Sequence, residues 1–460
     1  MGAQSSAARR RPAPQRTPEP ARRSPQYGGQ RRPDYERRRP QQYAPPGYAR
    51  KRRILSREEI QRREEARRRK EELIRRRKER EAESRELAKG PIDLPFCLLV
   101  MLLTAIGLVM LLSASFPSAY YEARTQDPLY YFIRQGIFAT GGTAAMFFIG
   151  KINYQRFEGV AKFLMYFSIV LLVFVLIPHN PFAITVNNAT RWLGIKGTPA
   201  QFQPSEVAKL AVVLYFSDSI SKKMDKMQSF RYGIAPYVMI LGVTAGLVAL
   251  EPHLSGAVLI LGAGAALMLV GGINWGWVVA AIGAAAGLLY FALFVIGYNA
   301  SRIQYWLNPW ADMQNKGYQL SQSLITIGSG GLLGVGLGKS RQKFLYLPEE
   351  HNDFIFAIIC EELGLVGATV IMLLFAALIL RGYWIALHAR NRFGSLLAVG
   401  VTTLVAMQTF LNIGVVTGLL PTTGISLPFF SYGGTALMIQ LAEMGIVLSV
   451  SRQMKPTRAG

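Results

Sequence analysis

The segment DLPFCLLVMLLTAIGLVMLLSA, residues 93–114, decides the fold, because no charged side chain follows Asp93 within it. An α-helix needs about 20 predominantly apolar residues to cross a bilayer, so the segment predicts a membrane-spanning helix. Ninety residues precede it and no small-residue cleavage site follows, which argues against a secretory signal. Half of the 460 residues are hydrophobic and only 17% are charged. A soluble protein of this size would carry about a quarter charged residues.

Further apolar runs follow the first, and together they predict an all-α integral membrane protein with about ten transmembrane helices. The runs are 93–114, 131–149, 160–178, 205–220, 233–251, 256–272, 276–298, 353–380, 394–419 and 434–451. Lys and Arg are concentrated in the cytoplasmic loops of membrane proteins. Here they follow spans two, four, eight and ten, so we expect both termini in the cytoplasm.

Two loops on the opposite, outward side are long: about 179–204, and a large extracytoplasmic loop of about 299–352 between spans seven and eight. Loops of this length are usually functional or disordered. The second loop ends in LPEEHNDFIFAIICEELG, residues 347–364, which places five carboxylates beside and inside an apolar segment.

The first ninety residues are strongly basic, with 29 Lys and Arg against 13 Asp and Glu. We expect 1–55 to be a disordered, basic, Pro-rich cytoplasmic segment, because it has little apolar surface to bury. Glu and Arg recur four residues apart in 56–90, which predicts a charged cytoplasmic helix. Attraction to anionic lipid is the simplest role for this charge. Binding of nucleic acid is disfavoured, because no folded reading module accompanies it.

A glycine-rich segment, GSGGLLGVGLGKS at Gly328–Ser340, ends like a phosphate-binding loop. That motif needs a glycine five positions before Gly338, where this chain has Leu333, so an ATP site is rejected. Two interpretations stay open. The segment is either a close-packing backbone that approaches a ligand or a structural hinge. The cations that follow it are Lys339, Arg341 and Lys343.

Ionisable residues inside spanning helices are costly and usually functional. Glu206 and Lys209 lie three residues apart, which allows either a structural ion pair or a site in which Lys209 faces a phosphate. Asp353 lies at the start of span eight, where it is hydrated enough to accept a proton; a helix N-cap is the alternative. Three acids are interpreted as partners in helix packing: Glu361, Glu362 and Glu443. The four histidines and the two cysteines show no metal-ligand spacing or disulfide framework.

Three segments resemble the FtsW/RodA/SpoVE family of bacterial ten-span proteins for cell shape, division and sporulation. They are RWLGIKG…FQPSEVAK, GYQLSQSLITIGSGGLLGVGLGKSRQKFLYLPEEHNDFIFAIICEELGLVG and LPTTGISLPFFSYGG, and the resemblance covers roughly 92–452. SRQKFLYLPE is similar to the FtsW/SpoVE branch. The chain departs from the family pattern at His253 and Asn308, where an Asp is frequent, and so lacks one acid on the outer face.

The resemblance implies that 91–452 is a ten-helix transmembrane glycosyltransferase domain with a cytoplasmic tail at 453–460. It would polymerise lipid II at the outer face of the bacterial cytoplasmic membrane, in septal wall synthesis during division or sporulation. Asp353 would be the catalytic base on the acceptor sugar hydroxyl. The expected substrate-binding residues are Glu206, Lys209, Arg191, Lys196, Lys339, Arg341, Lys343, His351 and Ser431.

Cations from this set, with a divalent cation (Mg or Mn) as a further possibility, would stabilise the pyrophosphate leaving group. The implied partners are a class B penicillin-binding protein and divisome proteins, with no nucleic acid. Two other hypotheses about function stay open: a flippase that carries lipid II across the bilayer, and a non-catalytic scaffold for the transpeptidase.

Overall fold

The computed structural model describes residues 90–121, 126–178, 180–186, 189–195, 201–280 and 300–454, with Gly283 and helical residues scattered between 61 and 79. Residues 1–60, most of predicted span seven and Lys196 lie outside this set. Those residues of the predicted charged segment that are described are helical, and Arg75 Nε donates to Glu79 Oε1 at 2.9 Å.

The described part of the chain is mostly helical, as predicted. The helices are α1 (Leu94–Tyr121), α2 (Tyr130–Lys151), α3 (Phe157–Leu176), α4 (Pro204–Lys223), α5 (Ala235–Leu250), α6 (Leu254–Val270), α7 (Ala300–Leu307), α8 (Tyr318–Gly330), α9 (Ile355–Leu387), α10 (Arg392–Val416) and α11 (Gly434–Ser451). Short 3-10 turns cover Tyr154–Arg156, Met224–Lys226 and Pro309–Asp312, and a π-turn covers Phe230–Ile234.

Among the described residues, six helical segments are long and apolar enough to cross a membrane. They are α1, α3 with its preceding turn, α5 with its preceding turn, α9, α10 and α11. Helix α6 is apolar but has 17 residues, whereas α2 and α4 are long enough but more polar. The prediction of a multi-pass helical membrane protein is confirmed, and the number of ten spans stays a prediction.

The first long loop contains a three-stranded antiparallel sheet that the sequence analysis did not predict. Its strands are β1 (Ala183–Val186), β2 (Ala189–Gly194) and β3 (Gln201–Phe202), in that order. Ile184 pairs with Trp192, and the Thr185 and Thr190 hydroxyls are 2.7 Å apart. The sheet leads directly into α4, so it fixes where that helix begins.

Small residues allow helices to approach closely in a membrane protein. At Gly445 on α11, a Cβ atom would lie 2.6 Å from the carbonyl oxygen of Met146 on α2, so the two backbones are in contact. Just before α1, an ion pair ties the start of this helix to α9: Arg381 Nη2 lies 2.8 Å from the buried Asp93 Oδ2. Asp93 also accepts from the backbone N–H of Phe96, which caps α1.

Helix α9 is interrupted at Gly364, which has φ +68°. A break in a spanning helix leaves backbone groups that must find other partners. Here the carbonyls of Glu361 and Glu362 accept from the N–H groups of Val335 and Gly336 at 2.9 and 3.0 Å. Two N–H groups after the break donate to carbonyls at the start of the glycine-rich segment. The segment therefore replaces the missing helical hydrogen bonds.

This contact needs glycine. Gly334 has φ +76°, and a side chain there would collide with the Glu362 carbonyl. Of the two interpretations left open by the sequence, this packing supports a structural segment, and a backbone that approaches a ligand stays a prediction.

The side chains of the same two glutamates bind the other end of the segment. Lys343 Nζ lies 2.9 Å from Glu362 Oε1, and both side chains are almost fully buried. Glu362 also accepts from the Ser113 hydroxyl of α1 at 2.7 Å. Glu361 accepts from the Ser340 hydroxyl. Glu361 therefore joins the loop to α9, which differs from the predicted helix-to-helix packing. Glu362 joins α9 both to the loop and to α1, and its contact with α1 is of the predicted kind.

Candidate active site

A cavity of about 1060 Å³ lies at the end of the bundle where β3 leads into α4. Its wall is formed by the N-terminal parts of α2, α4, α6 and α8, by one residue of α10, by β2 and β3, by the α5–α6 turn, and by the loops before α9 and before and at the start of α11. Of the predicted site residues, the cavity brings together Asp353, Glu206, Lys209 and Arg191. Segments more than a hundred residues apart in sequence thus meet at one site.

The loop that carries Asp353 is held in place by hydrogen bonds to its backbone carbonyls. The Asn412 amide of α10 donates to the Asp353 carbonyl at 2.7 Å. The Ser431 hydroxyl donates to the Asn352 carbonyl at 2.7 Å, and the Tyr432 N–H donates to the His351 carbonyl at 2.9 Å. Three hydrogen bonds from α10 and the loop before α11 therefore hold the backbone of Asp353 and of the two residues before it.

The Asp353 side chain takes no part in these backbone contacts. Helix α9 begins at Ile355, its N-cap is Phe354, and no side chain caps it, so Asp353 is not a helix cap. Within the part of the chain that the structure describes, no hydrogen bond engages the Asp353 carboxylate. Burial, and then the nearby Glu349, raise the pKa of Asp353 to about 7, although Arg191 and His351 act in the opposite direction. A carboxyl group with such a pKa is suited to take a proton near neutral pH.

The cationic side of the cavity is built on α4 and β2. Lys209 Nζ lies 2.8 Å from Glu206 Oε2, and both side chains are at least nine-tenths buried. Arg191 Nε donates to the Glu251 carbonyl at 3.2 Å, and its second nitrogen donates to the Pro252 carbonyl. These contacts orient both cations along the cavity wall.

Two further residues of the wall were not singled out as site residues from the sequence. Arg134, from the first part of α2, adds a third cation. His253 lies between Gln203 Nε2 and the Ser205 hydroxyl, at 3.1 and 3.3 Å from its Nδ1. Burial, Arg191 and Lys209 lower the pKa of His253 to about 3, so its imidazole is neutral. Arg134 could have been predicted as a site residue from the sequence, because an arginine within a predicted span is usually functional.

The other predicted site residues that the structure describes lie outside this cavity wall. Lys343 is paired with Glu362, and the Ser431 hydroxyl is engaged in the loop contacts given above. The His351 ring packs on Tyr131 with centroids 4.6 Å apart. Lys339 and Arg341 line neither this cavity nor a smaller one beside Asp353, and Lys196 is outside the described residues.

A divalent cation requires a set of oxygen ligands. Among the residues that the structure describes, no three or more His, Cys, Asp or Glu side chains are grouped so that they could hold a metal ion. The predicted Mg or Mn stays a prediction, and the chemistry proposed below uses protein groups alone.

Comparisons with known proteins identify the family of this chain. A family model described as "Cell cycle protein" (FTSW_RODA_SPOVE) matches residues 94–456. The probable peptidoglycan glycosyltransferase FtsW of Geobacter metallireducens is 41% identical over 366 residues, which cover 79% of this chain and 96% of that protein. Stage V sporulation protein E of Bacillus subtilis is 41% identical over 362 residues, covering 78% of this chain and 97% of that protein.

Two solved structures are also similar. The rod shape determining protein RodA of Thermus thermophilus has a TM-score of 0.58 at 28% identity, covering 80% of this chain and 99% of that one. A chain from a peptidoglycan synthase complex that coordinates polymerization and crosslinking has a TM-score of 0.66 at 27% identity, covering 79% of this chain and 98% of that one.

Proposed function

The chain belongs to the FtsW/RodA/SpoVE family, and on that premise we propose that it is a peptidoglycan glycosyltransferase that polymerises lipid II into glycan strands of the septal wall. The relatives named for this activity or for sporulation are covered almost over their whole length. The observation that carries the proposal is the meeting of Asp353 with three cations, Arg134, Arg191 and Lys209, in the wall of one cavity.

In the reaction, the hydroxyl oxygen of the acceptor sugar attacks the anomeric carbon of the donor. The bond between that carbon and the pyrophosphate oxygen breaks, and its electron pair leaves with the pyrophosphate. Asp353 takes the hydroxyl proton as general base. Lys209 and Arg191 stabilise the negative charge that develops on the leaving group. Glu206 holds Lys209 in place through their 2.8 Å ion pair.

The position of the site also fits a lipid-linked substrate. Asp353 lies two residues before the membrane-spanning helix α9, and α4 begins beside the same cavity. A lipid with a pyrophosphate and a sugar head group needs both an apolar surface for its chain and a polar cavity for its head. The cavity supplies the polar part, and the exposed apolar side chain of Leu254, at the start of α6, lies in its wall.

Purified full-length protein, mixed with lipid II in detergent or liposomes, is expected to give a ladder of glycan strands on a gel. A flippase or a scaffold would give no polymer in this assay. If no polymer forms even when a partner transpeptidase is added, the glycosyltransferase proposal is wrong.

The structural relative from a synthase complex supports a partner synthase for this chain as well. We propose that this partner is a class B penicillin-binding protein of the divisome, because linear glycan strands still need crosslinking.

We further propose that the cavity opens on the outer side of the cytoplasmic membrane and that both termini are cytoplasmic. Cysteine is introduced at Gln314, near the cavity, or at Gln228, in the turn before α5; both positions are exposed. In intact cells, a membrane-impermeant thiol reagent should label the first variant and not the second. The native Cys97 and Cys360 are buried and give little background. Reversed labelling would overturn the proposed orientation and the outward position of the site.

A further inference from the structure

A second, smaller cavity of about 340 Å³ lies beside Asp353. It shares four residues with the larger cavity: Gln319, Asp353, Thr423 and Gly424. The carboxylate therefore stands where two separate spaces meet. Both volumes fall within or close to the range of about 300–1,000 Å³ that is usual for ligand pockets.

Gly424 keeps the two spaces in contact at the carboxylate. A Cβ atom at position 424 would lie 3.0 Å from Asp353 Oδ2, so any larger residue would push against the carboxylate from the shared wall. A ligand in the smaller cavity therefore reaches the carboxylate at this glycine.

The two cavities differ in chemistry. The larger one is lined by three cations, which suits a pyrophosphate, whereas the smaller one has only Lys316 among its described lining residues. The rest of its lining combines the aromatic rings of Tyr305 and Trp306 with neutral polar groups such as those of Thr422 and Gln319. Flat aromatic rings offer apolar contact to the C–H faces of a sugar. The amide and hydroxyl groups can both donate and accept hydrogen bonds with its hydroxyls.

The aromatic wall is held in a fixed position. Trp306 Nε1 donates to the Gly418 carbonyl at 2.8 Å, which anchors the indole to the end of α10. Lys316 Nζ lies 6.0 Å from the centre of the Tyr305 ring, so the cation and the ring face each other. A pre-formed wall of this kind lowers the entropic cost of binding a ligand.

We propose that the smaller cavity binds the acceptor sugar and presents its hydroxyl to Asp353, while the donor pyrophosphate occupies the larger cavity. This assignment rests on the proposed glycosyltransferase function. A base positioned between the two cavities takes the proton of a hydroxyl that enters from one side, while the leaving group departs on the other.

The test separates the two substrates. The donor is lipid II whose terminal acceptor hydroxyl is blocked, and the acceptor is a disaccharide-peptide without pyrophosphate; single transfer is measured while each concentration is varied. Tyr305→Ala and Lys316→Ala are expected to raise the KM for the acceptor about tenfold and leave the KM for the donor within about twofold. Lys209→Ala should show the opposite pattern. Gln314→Ala, in the same exposed segment but lining neither cavity, should match wild type.

The outcomes are distinguishable. Failure of the wild-type protein to transfer sugar at all overturns the proposed function and this site together. An active wild type with an unchanged acceptor KM in both variants overturns the subsite alone, as does a rise in the donor KM instead. A fluorescence thermal-unfolding curve for each variant shows that the fold is retained, since Lys316 is exposed and its removal leaves no buried group.

Discussion

Asp353→Asn should abolish polymerisation of lipid II while the protein still folds and binds its substrate. Asparagine keeps the size of the side chain but cannot take the hydroxyl proton, and loss of a general base typically costs about 10²–10⁴-fold in rate. The backbone contacts that hold this loop use the carbonyl of residue 353 and its neighbours, so the substitution leaves them in place. The measurement is the initial rate of glycan formation at saturating lipid II.

The matched control is Asp127→Asn, at an exposed acid that lines neither cavity, which should keep the wild-type rate. A rate within threefold of wild type for Asp353→Asn would remove Asp353 from the catalytic role. If Asp353→Asn loses activity because the protein unfolds, the residue is structural. Loss of activity in a folded protein is the result that supports the catalytic role.

The same carboxyl predicts the pH dependence of the wild-type enzyme. Its pKa is about 7, so its basic form is lost as the pH falls through that value. The rate should then drop about tenfold for each further pH unit. Stability changes in the other direction: the pKa in the folded state is raised, so this group favours folding at low pH and loses that contribution as the pH rises through about 7. At pH 8, Asp353→Asn should therefore unfold at a temperature no lower than wild type.

Much of this site could be predicted from sequence, for a physical reason. A carboxylate or a buried cation in an apolar segment is costly, so Asp353, Glu206 and Lys209 stand out against their surroundings. The structure does place these three in one cavity wall. Arg134 carries the same signal within span two and was not used.

Other features depend on long-range contacts that no local pattern reveals. The apolar residues of α9 resume directly after Gly364 and no proline marks the break, so the break there and its partner segment appear only in three dimensions. The hairpin of β1 and β2 is different, because AITVNNATRWLG has β-branched residues around an Asn-Asn pair and could have been recognised as a hairpin.

Lys343 shows that the partner of a charged side chain is equally hard to predict from local sequence. As a cation that follows the glycine-rich segment, it was expected to bind the pyrophosphate, yet in the fold its ammonium lies 2.9 Å from Glu362 and 3.1 Å from the Ser113 hydroxyl. Nearness in sequence to a catalytic residue does not determine where a long side chain points. A buried acid such as Glu362 needs a counter-ion, and the Lys343 ammonium supplies it.

Lys343→Met should accordingly reduce the stability of the protein. It keeps most of the apolar length of the side chain but leaves the fully buried Glu362 carboxylate without its counter-ion. Breaking a buried pair from one side typically costs about 3–5 kcal/mol. The measurement is the midpoint of thermal unfolding in detergent, which should fall clearly below that of wild type.

The double variant Lys343→Met with Glu362→Gln should recover part of the loss, because the neutral amide no longer needs a cation and its oxygen still accepts from Ser113. Arg75→Ala is the matched surface control: that pair has the same 2.9 Å separation but side chains 82% and 61% exposed. Exposed pairs four residues apart contribute only about 0.3–0.5 kcal/mol, so its midpoint should be unchanged.

The two roles of Lys343 predict different results in this series. A structural ion pair predicts a lower unfolding temperature for Lys343→Met and its partial recovery in the double variant, with the KM for lipid II near wild type in whatever protein remains folded. A substrate-binding lysine predicts a wild-type unfolding temperature, a raised KM and no recovery on changing Glu362. The burial of both side chains and the glycine-rich segment that they anchor to α9 support the first result.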